Sequence, residues 1–351
     1  MQPKVKRIYL PKLKFYFSVF FFAVAIAVLA KGVLWMFSFS QATGLTPTTL
    51  INLVFGGGTQ LKTQDNRTNI LLLGIGGGEH PGADLTDTMM VLSLGKRLAL
   101  ISIPRDIWSD TLKDKVNSAY HYGEEKSREA GSRSAGKKGG LILSKAIVED
   151  VIGLPIHYSL VIDFSGFTEI IDFAGGVTFN VLHGFTDKEF PIEGKEDDSC
   201  GGDPTFACRY EVVHFDSGVQ TVDGKRALQY VRSRQAAGEE GSDFARARRQ
   251  QEILVALKEK LLRPGVWLSP TRAKTLIAAL EKATDTDMNI GEFLTVGKAI
   301  AEVNEEDIQR ISLDDLLYTP PAIWYGRYVL LPKEDFESIH EYVLKELESE
   351  P

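Results

Sequence analysis

Tyr158-Ser159-Leu160-Val161-Ile162-Asp163 is a six-residue apolar run of the length of a buried strand. Phe164–Ala174 follows at once with helical spacing. Gly175-Gly176 then makes a turn into a second run, Val177–Leu182. A strand, a helix and a strand in 25 residues set the pattern for the rest. Upstream, Asn69–Ile75, Met89–Leu94 and Leu98–Ile103 are three more short apolar runs, and Leu141–Ile152 reads as a helix stopped by Gly153. Downstream, Asp223-Gly224 opens a short helix to about Val231. Helices are predicted near 270–283 and 289–303, a strand near 327–332 and a final helix from about 335. Residues 124–140 read as a mobile charged loop and 183–220 as a long irregular insertion, of the kind that forms lids and binding elements. Interleaved strands and helices predict an α/β fold with helices on both faces of the sheet.

The composition, 44% hydrophobic and 25% charged, is that of an ordinary globular chain. The N-terminus is different. Lys4, Lys6, Arg7, Lys12 and Lys14 precede an apolar stretch, Phe15–Phe39, interrupted only by Lys31. Such a helix spans a bilayer, with Lys31 near one end where it can snorkel. The flanking positive charge puts residues 1–14 in the cytoplasm and the remainder outside. A cleaved signal peptide with Val28-Leu29-Ala30 as its site is the rival. The apolar run continues through Leu34-Trp35-Met36-Phe37, which favours an uncleaved anchor at 15–39. Residues 40–66, with Gly56-Gly57-Gly58, read as a stalk leading to the globular part at about Arg67. Cys200 and Cys208, close together outside the cell, predict a disulfide across a small loop.

Formal net charge is −7, and the residues before Asp65 include no acidic one, so the globular part is more acidic still. Such a surface repels nucleic acid. Against that background five arginines fall between positions 232 and 249, in Arg232-Ser233-Arg234 and in Asp243-Phe244-Ala245-Arg246-Ala247-Arg248-Arg249-Gln250-Gln251. The guanidinium fork matches phosphate oxygens two at a time, so the cluster points to a small phosphorylated ligand. Asp243 reads as the N-cap of a helix to about Leu262, ended by Pro264-Gly265. Arg246, Gln250, Ile253 and Leu257 lie on one face. Arg232 and Arg234 share a face only if their segment is extended. The plainer reading of the cluster is a solvated helix surface.

Taken in order, several motifs resemble those of the LytR-CpsA-Psr family of cell-wall enzymes. They are Asn69–Gly74, Thr86-Asp87-Thr88-Met89-Met90, Ser102-Ile103-Pro104-Arg105-Asp106, Val116-Asn117-Ser118-Ala119-Tyr120, Gly175-Gly176-Val177, Leu228–Arg234 and Asp243–Gln251. The likeness covers residues 67–262 well, as a catalytic domain, and 263–351 loosely, as a C-terminal helical extension on the same domain. The resemblance implies an α-β-α sandwich with a central mixed sheet and an apolar cavity for a polyprenyl chain. It implies a phosphotransferase that moves a glycopolymer from polyprenyl pyrophosphate to peptidoglycan, assisted by Mg²⁺. By position, Arg105, Arg232, Arg234 and Arg246 would clamp the two phosphates, Gln250 would hydrogen-bond a phosphate oxygen, and Asp87 would hold the metal. Asp106 and Asp243 would support the site from behind. Phosphoryl transfer needs positioned cations along the phosphates and little else, and Mg²⁺ accepts one or two carboxylates beside phosphate oxygens.

The residues alone leave plainer alternatives: Asp87 as a turn or cap residue, and Arg105-Asp106 as a structural ion pair. His80 and His121 read as surface or packing residues, and Asp163 and Asp172 as structural. Two positions depart from the family pattern. Gly76 stands where many members have an aspartate, and Leu85 where an arginine is common; Asp84, Glu79 or His80 could substitute from the same loop. Two other functions therefore stay open, a polyprenyl-pyrophosphate phosphatase and a non-catalytic binder of lipid-linked polymers.

Overall fold

The computed structural model of the chain describes residues 11–78, 82–129, 138–195, 197–261, 263, 265 and 269–349. The expected tail cations Lys4, Lys6 and Arg7, the loop residues Glu79 and His80, the middle of the charged loop (130–137), and Leu262 and Pro264 lie outside them.

Six strands form the central sheet: β1 (Thr68–Ile75), β2 (Thr86–Leu94), β3 (Leu98–Ser102), β4 (Tyr158–Asp163), and two from the C-terminal region. Strand β1 runs antiparallel to β2, which runs antiparallel to β3, while β4 lies parallel to β1, pairing Leu72 with Leu160. The sheet is therefore mixed, and the pleat gives it two different faces. Leu71, Leu73, Met89, Val91, Ala99, Ile101 and Val161 point to one face and are all buried. Helices α3 (Ala119–Glu129) and α4 (Gly139–Ile152) and the last helix (Phe336–Glu348) cover them with Ala119, Ile147, Val151, Ile339 and Val343. At the α3–α4 contact a Cβ on Gly123 would fall 2.2 Å from the Gly139 carbonyl oxygen, so only glycine fits there.

Ile70, Leu92, Leu98, Leu100 and Tyr158 point the other way and pack against Val255, Met288 and Val296. The sandwich is thus α-β-α, as expected. This second face is covered unevenly. Leu72 and Leu160, partners in adjacent central strands, and Ile162 beyond them are only partly buried, whereas their neighbours Leu71, Leu73 and Val161 are sealed.

A second apolar cluster lies beside the sheet. Helix α5 (Phe164–Phe173) leads into β5 (Val177–Val181), β6 (Phe185–Pro191), β7 (Tyr210–Phe215) and β8 (Gly218–Val222), followed by α6 (Gly224–Arg232) and α7 (Asp243–Leu261). The expected irregular insertion is in fact a hairpin, β6 with β7, which buries Phe185, Phe190, Val213 and Phe215 against Tyr230 and Ile253. Its signal was weak because charged residues interrupt the alternation at Asp187-Lys188-Glu189. Cys200 and Cys208 are disulfide-bonded at its far end. Closing so short a loop stabilises by about 2–3 kcal/mol on the chain-entropy scale. Cys200→Ser/Cys208→Ser is therefore expected to leave the core folded but to speed limited proteolysis between β6 and β7, read as the appearance of nicked chain. Equal nicking rates would refute it.

The C-terminal region is less an extension than part of the sheet. After α8 (Pro270–Ala283), β9 (Thr284–Thr286) pairs with β4 at one edge. After α9 (Ile290–Ala301), β10 (Gln309–Ser312) pairs parallel to β3 at the other. Both strands are too short to show a period. The strand expected near 327–332 is reduced to Leu331-Pro332. Helix α10 (Phe336–Glu348) ends the described chain, and α3 runs through Glu129 where a loop was expected.

Helix α1 extends over Pro11–Thr43, and its Phe15–Thr43 portion is long and apolar enough to cross a membrane. The expected stalk is instead docked. Helix α2 (Pro47–Phe55) starts on a Thr46 cap, and Phe39, Leu45 and Leu50 are buried beside Ala273, Ile290 and Leu294. The Thr59 N–H donates to Thr295 Oγ1 at 2.8 Å, and the Lys62 N–H to Tyr158 Oη at 2.9 Å.

Candidate functional site

Strands β1, β3 and β4 end together, and β2 begins there. Ligands of open α/β sheets bind outside the carboxyl ends of parallel strands. Gly74–Gly78, Asp87, Arg105-Asp106 and Asp163-Phe164 all belong to this end. Gly77 sits at φ +72°, and a Cβ on it would lie 2.9 Å from Asp163 Cβ, so the glycine loop runs directly against the start of α5. Asp163 itself caps α5, accepting from the Gly166 N–H at 2.7 Å. Asp172 accepts from the Gly224 N–H at 2.7 Å. Both aspartates are structural, as expected.

Asp87 and Arg105 meet: the Arg105 Nη1–H donates to Asp87 Oδ1. Asp87 is 41% exposed and Arg105 19%, so the pair is reachable from solvent on the carboxylate side. Asp106 is nearly buried and takes Lys115 Nζ at 2.6 Å, with Arg105 Nε 3.5 Å from its other oxygen. Asp106 thus lies between the Arg105 and Lys115 cations. The Pro-Arg-Asp turn is fixed by its backbone as well. The Asn117 N–H donates to the Arg105 carbonyl at 3.3 Å, and Thr86 Oγ1 donates to the Asn117 carbonyl at 3.1 Å.

Helix α7 brings the second group. Gln251 Nε2 donates to Ser102 Oγ at 2.9 Å, at the end of β3. One turn later Val255 packs over Ile70 and Leu98, toward the opposite end of the sheet. The helix therefore runs away from the site, and its first turns, with Arg246 and Gln250, stand over the end that carries Arg105. Ser242, not Asp243, is the N-cap: its Oγ accepts from the Ala245 N–H at 3.1 Å, and its carbonyl accepts from Arg246. The Ser242 backbone is extended, as a cap must be, one residue before the position expected from sequence. The Asp243 side chain lies outside the described atoms. Arg246 is only 9% exposed and Gln250 half-buried.

Arg232 closes α6, and its guanidinium lies over the Phe164 ring at 4.2 Å, with the Phe190 ring farther off at 5.5 Å. Ser233 leaves the helix, and Arg234 is exposed. Two residues outside the expected set hold this loop. Asp187, buried on the hairpin, accepts from the N–H groups of Arg234 (3.1 Å), Gln235 (3.2 Å) and Glu189 (3.0 Å). Arg249 is fully buried. It donates to the Tyr230 carbonyl at 3.0 Å, to the Glu240 carbonyl at 3.0 Å and carboxylate at 2.9 Å, and to the Ser233 carbonyl. Burial pulls its pKa down while Glu240 pulls it back up. Sequence places Arg249 beside the Arg246–Gln250 face, three residues after Arg246 and four before Ile253, but does not reveal its partners.

Asp84 is not positioned as a substitute ligand: its Oδ1 lies 2.8 Å from His121 Nδ1 and its Oδ2 3.7 Å from Arg128. His121 thus has a carboxylate partner that the sequence did not reveal. The carboxylate-and-cysteine group Asp198, Cys200 and Cys208 is not a metal site, since its sulfurs are spent in the disulfide.

A family model described as the LytR_cpsA_psr family matches residues 47–336. Among curated proteins, the polyisoprenyl-teichoic acid–peptidoglycan teichoic acid transferase TagU of Oceanobacillus iheyensis is 28% identical over 283 residues, 78% of this chain and 75% of that protein. The protein of the same name from Bacillus cereus is 27% identical over 251 residues, 69% of this chain and 68% of that one. Among solved structures, B. subtilis TagV superposes with a TM-score of 0.56 at 22% identity, over 82% of this chain and all of that one. TagT bound to LI-WTA superposes with a TM-score of 0.53 at 20% identity, over 83% and 95%.

Proposed function

The chain belongs to the LytR_cpsA_psr family, and from that premise we propose that it is a membrane-anchored transferase. It would move a glycopolymer from polyprenyl pyrophosphate to peptidoglycan outside the cytoplasmic membrane. One observation carries the reading. Arg105 follows the end of β3, Arg232 lies over Phe164 just past the end of β4, and Arg246 is in the first turns of the helix whose Gln251 donates to Ser102, while Leu72, Leu160 and Ile162 of the adjacent strands are only partly buried. A lipid pyrophosphate needs both, an apolar bed for its chain and fixed cations for its phosphates. The names of the curated relatives support the same substrates, and α1 supplies the anchor.

In the reaction proposed, a peptidoglycan hydroxyl attacks the sugar-proximal phosphorus. A new oxygen–phosphorus bond forms, the bridging bond of the pyrophosphate breaks, and polyprenyl phosphate leaves with the negative charge. The hydroxyl proton passes to solvent water. Arg105, Arg232, Arg234 and Arg246 stabilise charge on the phosphate oxygens as it shifts, and Gln250 orients one of them. Without ligand, Asp87 neutralises Arg105. A phosphate that takes Arg105 frees the Asp87 carboxylate.

Mg²⁺ fits this site through Asp87 alone. Asp87 is half-exposed and accepts from Arg105, an arginine that phosphate can claim, whereas Asp106 is held by Lys115 and Gly76 offers no carboxylate. One carboxylate with phosphate oxygens and water is an accepted Mg²⁺ set. When bound, the ion would neutralise phosphate charge.

The test is co-purification. The full chain, extracted in mild detergent, should carry polyprenyl phosphate or pyrophosphate detectable by mass spectrometry, and Arg232→Ala/Arg234→Ala should lose it. A wild-type protein holding no such lipid would overturn the reading.

A further inference from the structure

A polar cleft of ≈ 370 Å³ opens on the outer side of the Arg105–Asp87 pair, between the loop at Gly82–Leu85, the turn at Asp114–Ser118, the start of α3 and Arg327. Its back wall is shared with the site. Lys115 of the cleft binds Asp106, and Asn117 of the cleft binds the backbone of Arg105 and the Thr86 hydroxyl. The proposed donor machinery uses none of the cleft's own side chains.

Its groups are held in place. Asp114 accepts from Tyr122 Oη (2.8 Å), Ser118 Oγ (3.2 Å), the Lys115 N–H (2.8 Å) and Arg327 Nη1 (2.7 Å). Asp84 holds His121 by Nδ1, which commits one ring nitrogen and leaves Nε2 for a ligand. Its cations are already answered, Lys115 by Asp106 and Arg327 by Asp114. The cleft is therefore poorly suited to a second phosphate. It offers fixed donors and acceptors in mixed order. Beside it lies an aromatic ledge: Trp108 packs edge-on to Tyr325 at 4.8 Å, and Trp108 pairs across a short ladder with Lys115. Trp324 is 66% exposed on the same loop as Arg327.

The geometry points to a saccharide subsite: this cleft binds a short segment of the acceptor glycan, with its hydroxyl and N-acetyl groups on Asn117, Tyr122, His121 and Arg327, the last two fixed by Asp84 and Asp114. Mixed polar groups match a ligand that both donates and accepts at every ring. The aromatic ledge gives its C–H faces an apolar surface. The volume is at the lower end for ligand pockets, which suits a few atoms-wide sugar segment and not a folded domain. The inference rests on the transferase reading, because it takes the acceptor to be a glycan.

The experiment uses the full chain in lipid nanodiscs and isothermal titration. The probe is a tetrasaccharide of alternating N-acetylglucosamine and N-acetylmuramic acid without stem peptides. Stem pentapeptide alone and inorganic pyrophosphate are the other arms. The tetrasaccharide should bind, and Arg327→Ala and Tyr122→Phe should each weaken it about tenfold, the effect of one lost hydrogen bond involving a charged or fixed partner. Melting temperatures check that both variants fold; Arg327 is 56% exposed, so its removal leaves the core intact. No tetrasaccharide binding, equal affinity in folded variants, or binding of the pentapeptide in its place would each overturn the subsite. The lipid content of the same preparations tests the transferase reading separately, so the two ideas can fail independently.

Discussion

Arg249→Ala is expected to destabilise the folded domain by about 3–5 kcal/mol, the range for breaking a buried ion pair from one side. The guanidinium is fully buried, and its removal strands the Tyr230, Ser233 and Glu240 carbonyls together with the Glu240 carboxylate. Arg248 also reaches Glu240 but from a more exposed position, so it compensates only in part. Arg249→Lys should fare little better, because an ammonium cannot serve carbonyls on both sides of the loop. The loop at risk, Ser233 to Ser242, carries Arg234 and leads into Arg246. Urea unfolding of the full chain in mild detergent, wild type against variant, measures the loss directly. A change under about 1 kcal/mol would mean that the loop is held by Asp187 and packing instead.

Arg105→Ala carries the second large effect, on turnover rather than stability. In the proposed reaction it removes a donor aimed at phosphate oxygens whose charge grows in the transition state, a loss of about 10²–10³ in kcat. It also leaves Asp87 without its partner next to an incoming pyrophosphate. Asp87→Ala separates the two effects. If Asp87 holds Mg²⁺, that variant should lose the dependence of rate on added Mg²⁺, while Arg105→Ala should keep it. The assay follows release of polyprenyl phosphate from a lipid-linked donor, with and without peptidoglycan as acceptor. Release that is indifferent to peptidoglycan would favour hydrolysis, and unchanged kcat in Arg105→Ala would remove Arg105 from the mechanism.

Much of this site was legible because its motifs are local. Pro104-Arg105-Asp106 ends a strand, Thr86-Asp87 begins its neighbour, and adjacent antiparallel strands place such ends side by side. The Asp87–Arg105 contact and the place of Asp106 beside Arg105 thus follow from positions that sequence already marked. The arginine run was harder to read. Its composition suggested one clamp, but the five side chains divide by role. Arg249 builds the loop, Arg248 pairs with Glu240, Arg232 stacks on Phe164, Arg234 is exposed and Arg246 is nearly buried. Spacing along one helix ranks neighbours on that helix and says nothing of what comes from β6 or from the 238–242 turn.

From the sequence alone came the α/β class, the apolar N-terminal helix, the order of the long strands and helices, and the pairing of Cys200 with Cys208. All depend on short-range periods, on composition or on neighbours a few residues apart. Tertiary structure alone decided that β9 and β10 complete the sheet, that 40–66 is docked, that Asp187 and Arg249 hold the arginine loop, and that Asp84 orients His121. Each of these rests on a contact between segments far apart in the chain. Such a contact leaves no period to read, because its free energy comes from burying partners that the local sequence does not contain.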